Sequence, residues 1–484
     1  MKKKISIKQN ALMGGINKFV SLIFPLISFT YVSRILGVEN YGKYNFSQSI
    51  FSYFALIAEL GISTYAIREG VKYRDDREKM SEFASEIFTI NLLMTLISYI
   101  ALGALLFLSR GLFAYRACIG ICSIAMIFTV IGVEWLFSVY EEYTYITIRN
   151  IIFKLVSLGL MFILVKNRED YLWYAGICVF ASSGSCILNF IKAYSYCDIH
   201  ISIGKQLKKH TRLIFVFAAI NIAVYIYNSS DITMLGMFAD DIAVGLYSAA
   251  SKMYKLAKST LLAMLTVTIP RLSLYVNEND KKKFKDLLNK VINYMNLLMI
   301  PLIMLIIIEG KDILTIIAGE EYLDAYITLV VLAIAIVCSM YAWISSQCVL
   351  VPNGKESENL YSTLIGAIIN IILNIGLIPR FGSEAAACTT VVAELFVAIY
   401  CTVKAKKYIK YKFINRNTDF ILLGAAIMFG SGYFIKKLIS HLYLRFFLVS
   451  IITAIIYVAI VLLAQNEYAY EIINILKKQI GNKK

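Results

Sequence analysis

The sequence predicts an all-α integral membrane protein of about fourteen transmembrane helices, arranged as two six-helix lobes followed by a C-terminal pair. Three observations carry that expectation. Of 484 residues, 59% are hydrophobic and only 17% charged, too apolar for a chain solvated by water alone. Apolar runs long enough to cross a hydrocarbon core recur along the whole length, too continuous to alternate as barrel strands. The connections between them are short, so the chain hides no folded extramembrane domain.

In order, the predicted spans cover 11–36, 42–67, 83–109, 112–140, 144–166, 170–195, 212–238, 242–275, 284–308, 323–351, 358–380, 382–406, 418–437 and 444–465. The longest outer connection is then 309–322, EGKDILTIIAGEEY. MKKKISIKQNALMGG leads into a full-length apolar span with no small-residue cleavage site, so the first helix is expected to stay in the mature protein. Direction follows from the basic residues. With the N-terminus inside, the cytoplasmic segments (1–10, 68–82, 141–149, 196–212, 271–285, 352–358, 404–416 and 466–484) hold 30 of the 48 Lys and Arg, which places both termini in the cytoplasm. The formal charge of +16 is spread through these short segments, so the anionic leaflet is its partner and not nucleic acid.

A repeat divides the spans. In RILGVENYGKYNFSQS, residues 34–49, Gly42 and Tyr44 align with Gly245 and Tyr247 at an offset of 203, and 47–54 aligns with 250–257. Upstream, Leu36-Gly37 falls on Leu235-Gly236 across a four-residue insertion in MFADDIAVG. Each copy ends one span, turns outside the membrane and opens the next. Gly37 and Gly42 are expected to punctuate the first turn, with Glu39, Asn40 and Lys43 solvated. The repeat gives an N-terminal lobe at 1–195, a cytoplasmic linker at 196–211, a C-terminal lobe at 212–406, and a final pair with a cytoplasmic tail at 407–484. Two lobes around a cavity suit alternating access.

Ionisable residues inside spans are costly and mark cavities or partners. Lys252, Lys255 and Lys258 share one side of the eighth span, where the first lobe has Ser49, Ser52 and Ala55. They line a lumen or snorkel outward. Asp231 pairs with one of these lysines or titrates as an ion site. Lys154, Glu394 and Glu59 lie within spans five, twelve and two and are candidate cavity residues, whereas Glu134, Arg149 and Lys192 lie near cytoplasmic ends and read as interface anchors. Asn370 and Asn374, one turn apart, read as helix–helix hydrogen-bonding residues. The 33 tyrosines and 28 phenylalanines suit interfacial belts, and some suit sugar stacking in a lumen.

Enzymatic chemistry is disfavoured. No nucleophile triad, paired-carboxylate loop, Walker motif or dinucleotide fingerprint stands in a supporting context. The nine cysteines lie mostly in apolar runs and read as core residues. His200 and His210 share a basic loop and His441 lies opposite, so neither a metal nor any cofactor is expected.

The runs RILGVENYGKYNFSQSIFSYFALIAELGISTYAIREG (34–70) and SSDITMLGMFADDIAVGLYSAASKMYKLAKS (229–259) resemble the matching hairpins of Wzx-type polysaccharide flippases, in the multidrug/oligosaccharidyl-lipid/polysaccharide superfamily. The resemblance implies a fold like that of the multidrug exporters in that superfamily. It also implies a bacterial inner-membrane carrier that turns undecaprenyl-diphosphate-linked oligosaccharide from the cytoplasmic to the outer leaflet, for O-antigen, capsule or exopolysaccharide. By similarity, its diphosphate-binding cations map to Lys252, Lys255, Lys258 and Lys154, with Arg34 as a further candidate. Coupling to H+ or Na+ maps to Asp231, Glu394 and Glu59, and a polysaccharide polymerase is a candidate lateral partner. The rivals are a cation-coupled drug exporter of the same fold, which should favour acidic lumen residues, and a membrane enzyme or scaffold of the same pathway.

Overall fold

The structure, a computed structural model, describes residues 7–202, 207–471 and 474, and among these every regular element is helical. Among the described residues, eleven helical segments are long and apolar enough to cross a membrane. Two contain a break that makes them helix pairs: α1 (Ile7–Glu59) is non-helical at Gly37, φ 69°, and α14 (Glu356–Ala405) at Gly382, φ 53°. Both angles lie in the left-handed region that glycine enters without a Cβ clash. The fourteen-span reading corresponds to counting each of these as two spans and adding α9 (Leu207–Phe238), a 32-residue helix. Large apolar side chains face outward, with Phe107 84% and Leu463 83% exposed. Lipid is the solvent that tolerates such surfaces at this density.

By compactness the chain forms two units, Met1–Gly245 and Leu246–Lys484, so α9 goes with the first. In the first unit, α1 packs on α3 (Arg77–Leu108), α4 (Arg116–Gly132), α6 (Tyr143–Leu164), α7 (Tyr171–Ser183) and α9. The shorter α2 (Ile62–Gly70), α5 (Glu134–Val139) and α8 (Cys186–Ala193) close one end of it around buried Tyr65, Phe83, Trp135 and Phe137. Asp76 caps α3, its carboxylate accepting from Lys79 N at 3.1 Å. The sequence expectation for the 34–49 corner needs two corrections. Only Gly37 bends the chain; Gly42 lies inside the helix, against the first turn of α10 (Asp241–Leu265). Asn40 is buried, not solvated, and its Nδ2 donates to Arg168 O at 2.9 Å. Lys43 and Glu39 do pair at the surface, 2.8 Å apart.

The glycines explain why the helix continues. A Cβ on Gly42 would strike the carbonyl oxygen of Asp241, and one on Gly245 would strike that of Val38. The two contacts are reciprocal at the repeat offset, since Val38 plus 203 is Asp241. Two helices meet backbone to backbone there, the close approach that small residues permit.

In the second unit, α12 (Lys281–Ile317) packs on α13 (Ala325–Trp343), α15 (Arg416–Leu438) and α16 (Leu442–Leu463), and α13 packs on α14. A π-helical stretch, Ile344–Leu350, continues α13. The expected outer connection 309–322 is corrected: α12 stays helical to Ile317, so Glu309 and Asp312 are buried on a helix. Asp312 receives Arg445 through Nε and Nη2 at 2.9 and 2.7 Å, and Lys436 at 3.0 Å. This forked pair ties the final helices α15 and α16 to α12. Asn370 and Asn374 bond as expected: Asn374 joins Asn370 at 3.0 Å and also Thr389, across the Gly382 break.

Candidate functional site

The eighth predicted span, α10, brings the lysine stripe into the second unit, where Lys252 is half-buried, Lys255 exposed and Lys258 half-buried. Lys258 does not stand alone. Its Nζ lies 3.0 Å from Glu394 Oε1 on α14 and 3.2 Å from Tyr254 Oη, and Tyr254 Oη donates to Glu394 Oε1 at 3.3 Å. Glu394 is 6% exposed. A lysine and a glutamate 136 residues apart therefore neutralise each other inside the bundle, with a tyrosine one turn back supplying the third contact. Desolvated charges persist only in such a pairing.

The first unit holds the other candidates. Lys154 donates to Ser21 Oγ at 2.8 Å with the Phe24 ring 5.9 Å away, so α1 supplies its polar contact and α6 its cation. Arg34 is exposed, three residues before the Gly37 break. Asp231 is buried on α9, two residues from Thr233, whose Oγ1 lies 3.1 Å from Ser49 Oγ and 3.2 Å from Tyr53 Oη. Glu59 accepts from Ser63 at 3.4 Å and lines a polar cavity of about 150 Å3 with Asn91, Glu134, Ser182 and Ser183. Of the eight candidates, the structure joins Lys258 and Glu394 directly. Arg149, expected to anchor at an interface, is instead buried against Asn189 and 3.4 Å from Glu134, while Lys192 meets Glu142 at 2.5 Å.

Sequence reasoning missed a buried group. His210, read as part of a basic loop, is on α9 with Nε2 3.1 Å from Glu86 Oε2 and Nδ1 2.5 Å from Tyr65 Oη. Glu86 lies on the first turns of α3, where its flanking charges Arg77, Glu78, Lys79 and Glu82 disguise it as surface.

Kinked helices in two units, outward apolar surfaces and buried charge pairs define a polytopic α-helical membrane protein. The chain belongs to the family described as "Polysaccharide biosynthesis protein", which matches residues 7–276. A second description, MatE, matches 217–375. Among curated proteins, the chain is 22% identical over 402 residues to the "Putative O-antigen transporter" of Escherichia coli K12, covering 81% of this chain and 95% of that one. It is 22% identical over 478 residues to the "Probable low-salt glycan biosynthesis flippase Agl15" of Haloferax volcanii, covering 93% and 96%. In fold it is similar to "Lipid II flippase MurJ, inward closed conformation", with a TM-score of 0.77 at 16% identity, covering 96% of this chain and all of that one. It is also similar to an inward-facing "multidrug resistance MATE family transporter of the MOP superfamily", with a TM-score of 0.63 at 14% identity, covering 83% and 98%. The fold is that of the MOP superfamily.

Proposed function

We propose that the chain is a flippase that moves undecaprenyl-diphosphate-linked oligosaccharide repeat units from the cytoplasmic to the outer leaflet of the bacterial inner membrane, for surface polysaccharide assembly. Relatives named for O-antigen transport and for glycan flipping support this reading. The observation that carries it is the lysine stripe on α10, a run of cations within a membrane-spanning helix. A diphosphate entering a low-dielectric lumen needs such cations, whereas a cationic drug is repelled by them.

The Lys258–Glu394 pair gives the stripe a switch. Lys252 and Lys255 meet the diphosphate first, and the diphosphate then competes with Glu394 for Lys258. Protonation of Glu394 would release Lys258 to the cargo, which is how an ion gradient couples to loading; Asp231 and Glu59 are the other carboxylates for that role. Both termini lie in the cytoplasm in this reading, and alternating access moves the head group while the lipid tail stays in the bilayer.

Deleting the gene in its host tests this. Lipid-linked repeat units should accumulate on the inner face while surface glycan falls, and re-expression should reverse both. Altered drug tolerance with unchanged surface glycan would favour the exporter.

A further inference from the structure

We infer that the second unit carries a separate anion site, built to hold a phosphate-bearing group, in a cavity beside the start of α12. The cavity measures about 670 Å3, and its walls include Lys285, Lys406, Lys410 and Lys412. None of the ten lining residues is acidic; the others are asparagines and tyrosines. Uncharged donors and cations without a carboxylate are the chemistry that recognises phosphate oxygens.

The selection of residues is informative. Neighbouring basic groups are neutralised: Lys283 by Asp280, Lys290 by Glu471 and Lys404 by Glu358, each at 3.0 Å. Among the described residues the four cavity lysines are not held in any ion pair. Unscreened cations concentrated in one concavity raise the local concentration of anions.

The floor is also built rather than incidental. Lys285, Asn289 and Asn293 recur at one-turn spacing and so share a face of α12. Asn293 is 2% exposed and accepts from Asn415 Nδ2 at 3.1 Å. Asn415 caps α15, its side chain accepting from Asn417 N and Thr418 N at 3.0 and 3.2 Å. Beside it the buried Tyr411 bonds Ser345 at 2.8 Å. The connection 406–415, which carries three of the lysines, is therefore pinned at both its middle and its end. A backbone held at these points keeps the exposed lysines near one another, so less chain entropy is lost when they close on a ligand. The site does not involve the α10 stripe and is independent of what the chain transports.

A phospholipid head group and a free diphosphate share this chemistry, and one experiment separates them. The full-length protein is placed in nanodiscs of phosphatidylcholine with or without phosphatidylglycerol, and bound phosphatidylglycerol is counted by native mass spectrometry, with pyrophosphate as the soluble competitor. Replacing Lys285, Lys406, Lys410 and Lys412 by Gln should lower retained phosphatidylglycerol about tenfold or more. The same changes at Lys281, Lys282, Lys283 and Lys407, which lie outside the cavity, should have little effect. Insensitivity to pyrophosphate assigns the site to a lipid head group; displacement by it assigns the site to free phosphates as well. Equal retention by wild type and the cavity variant, or equal loss in the control, overturns the site. Amine labelling of the wild type is a check independent of variant folding: phosphatidylglycerol or pyrophosphate should slow modification of Lys406, Lys410 and Lys412 relative to Lys281, and no protection by either would also overturn it.

Discussion

Gly42 and Gly245, 203 residues apart in the chain, meet at one helix crossing, where a Cβ built on Gly42 would come within 3.1 Å of Gly245 N. Each glycine makes room for the carbonyl four residues before its counterpart. Gly42→Leu and Gly245→Leu should each lower the thermal midpoint in detergent by several degrees, corresponding to about 1–3 kcal/mol or more, because backbone yields less than a side chain. Since both relieve the same crossing, the double variant should lose less than the sum. Gly103, which has nothing within 4 Å of its would-be Cβ, should tolerate Ala unchanged.

Lys258 and Glu394 should behave as a unit. Lys258→Met alone leaves Glu394 buried with only Tyr254, and Glu394→Leu alone leaves Lys258 stranded; each should cost about 3–5 kcal/mol. The double variant should recover much of that loss. A double-mutant cycle on thermal unfolding measures the coupling, and strict additivity would show that the two side chains do not meet.

Asp312 gathers Arg445 and Lys436 from the final helix pair, so Asp312→Ala removes the acceptor of both. The expected cost is about 2–3 kcal/mol, concentrated in α15 and α16. Hydrogen exchange should show those two helices opening before α13 and α14. Uniform loosening of the whole unit would contradict the clamp.

Glu471, beyond the last span, is held below the usual carboxylate range by a hydrogen bond from Tyr294 and by Lys290, 3.0 Å away. Its folded pKa is lowered, so the stabilisation is present above the ordinary carboxylate value and is lost as pH falls through the folded one. Acidification below about pH 4 should therefore release the 466–471 segment, seen as faster amide exchange there. Glu471→Gln should remove the pH dependence.

The positions of the apolar runs were legible in the sequence because length and continuity are local properties, although not every end was. So was the correspondence of Gly42 with Gly245 at an offset of 203, a match of position along the chain. What was not legible is partnership across distance. Glu394 looked like an isolated charge in its span and Lys258 like one of a three-lysine stripe, and nothing local announces a pair 136 residues apart. Glu309 and Asp312 looked like loop residues because their charges interrupt hydropathy, although the helix runs on to Ile317 and their partners arrive from α15 and α16. His210 was assigned to a solvated loop by the company of Lys208, Lys209 and Arg212, while its own face of α9 turns toward Glu86.

The most direct test is translocation by purified protein in liposomes loaded with a fluorescent undecaprenyl-diphosphate oligosaccharide, read as the fraction that becomes accessible on the opposite leaflet. Wild-type protein should move the lipid, and Lys252→Gln with Lys255→Gln should slow it about tenfold or more at equal amounts of folded protein, by removing two cations proposed to meet the diphosphate. Movement by the double variant at the wild-type rate, or none by the wild type under an imposed H+ or Na+ gradient, would contradict the cationic-lumen flippase.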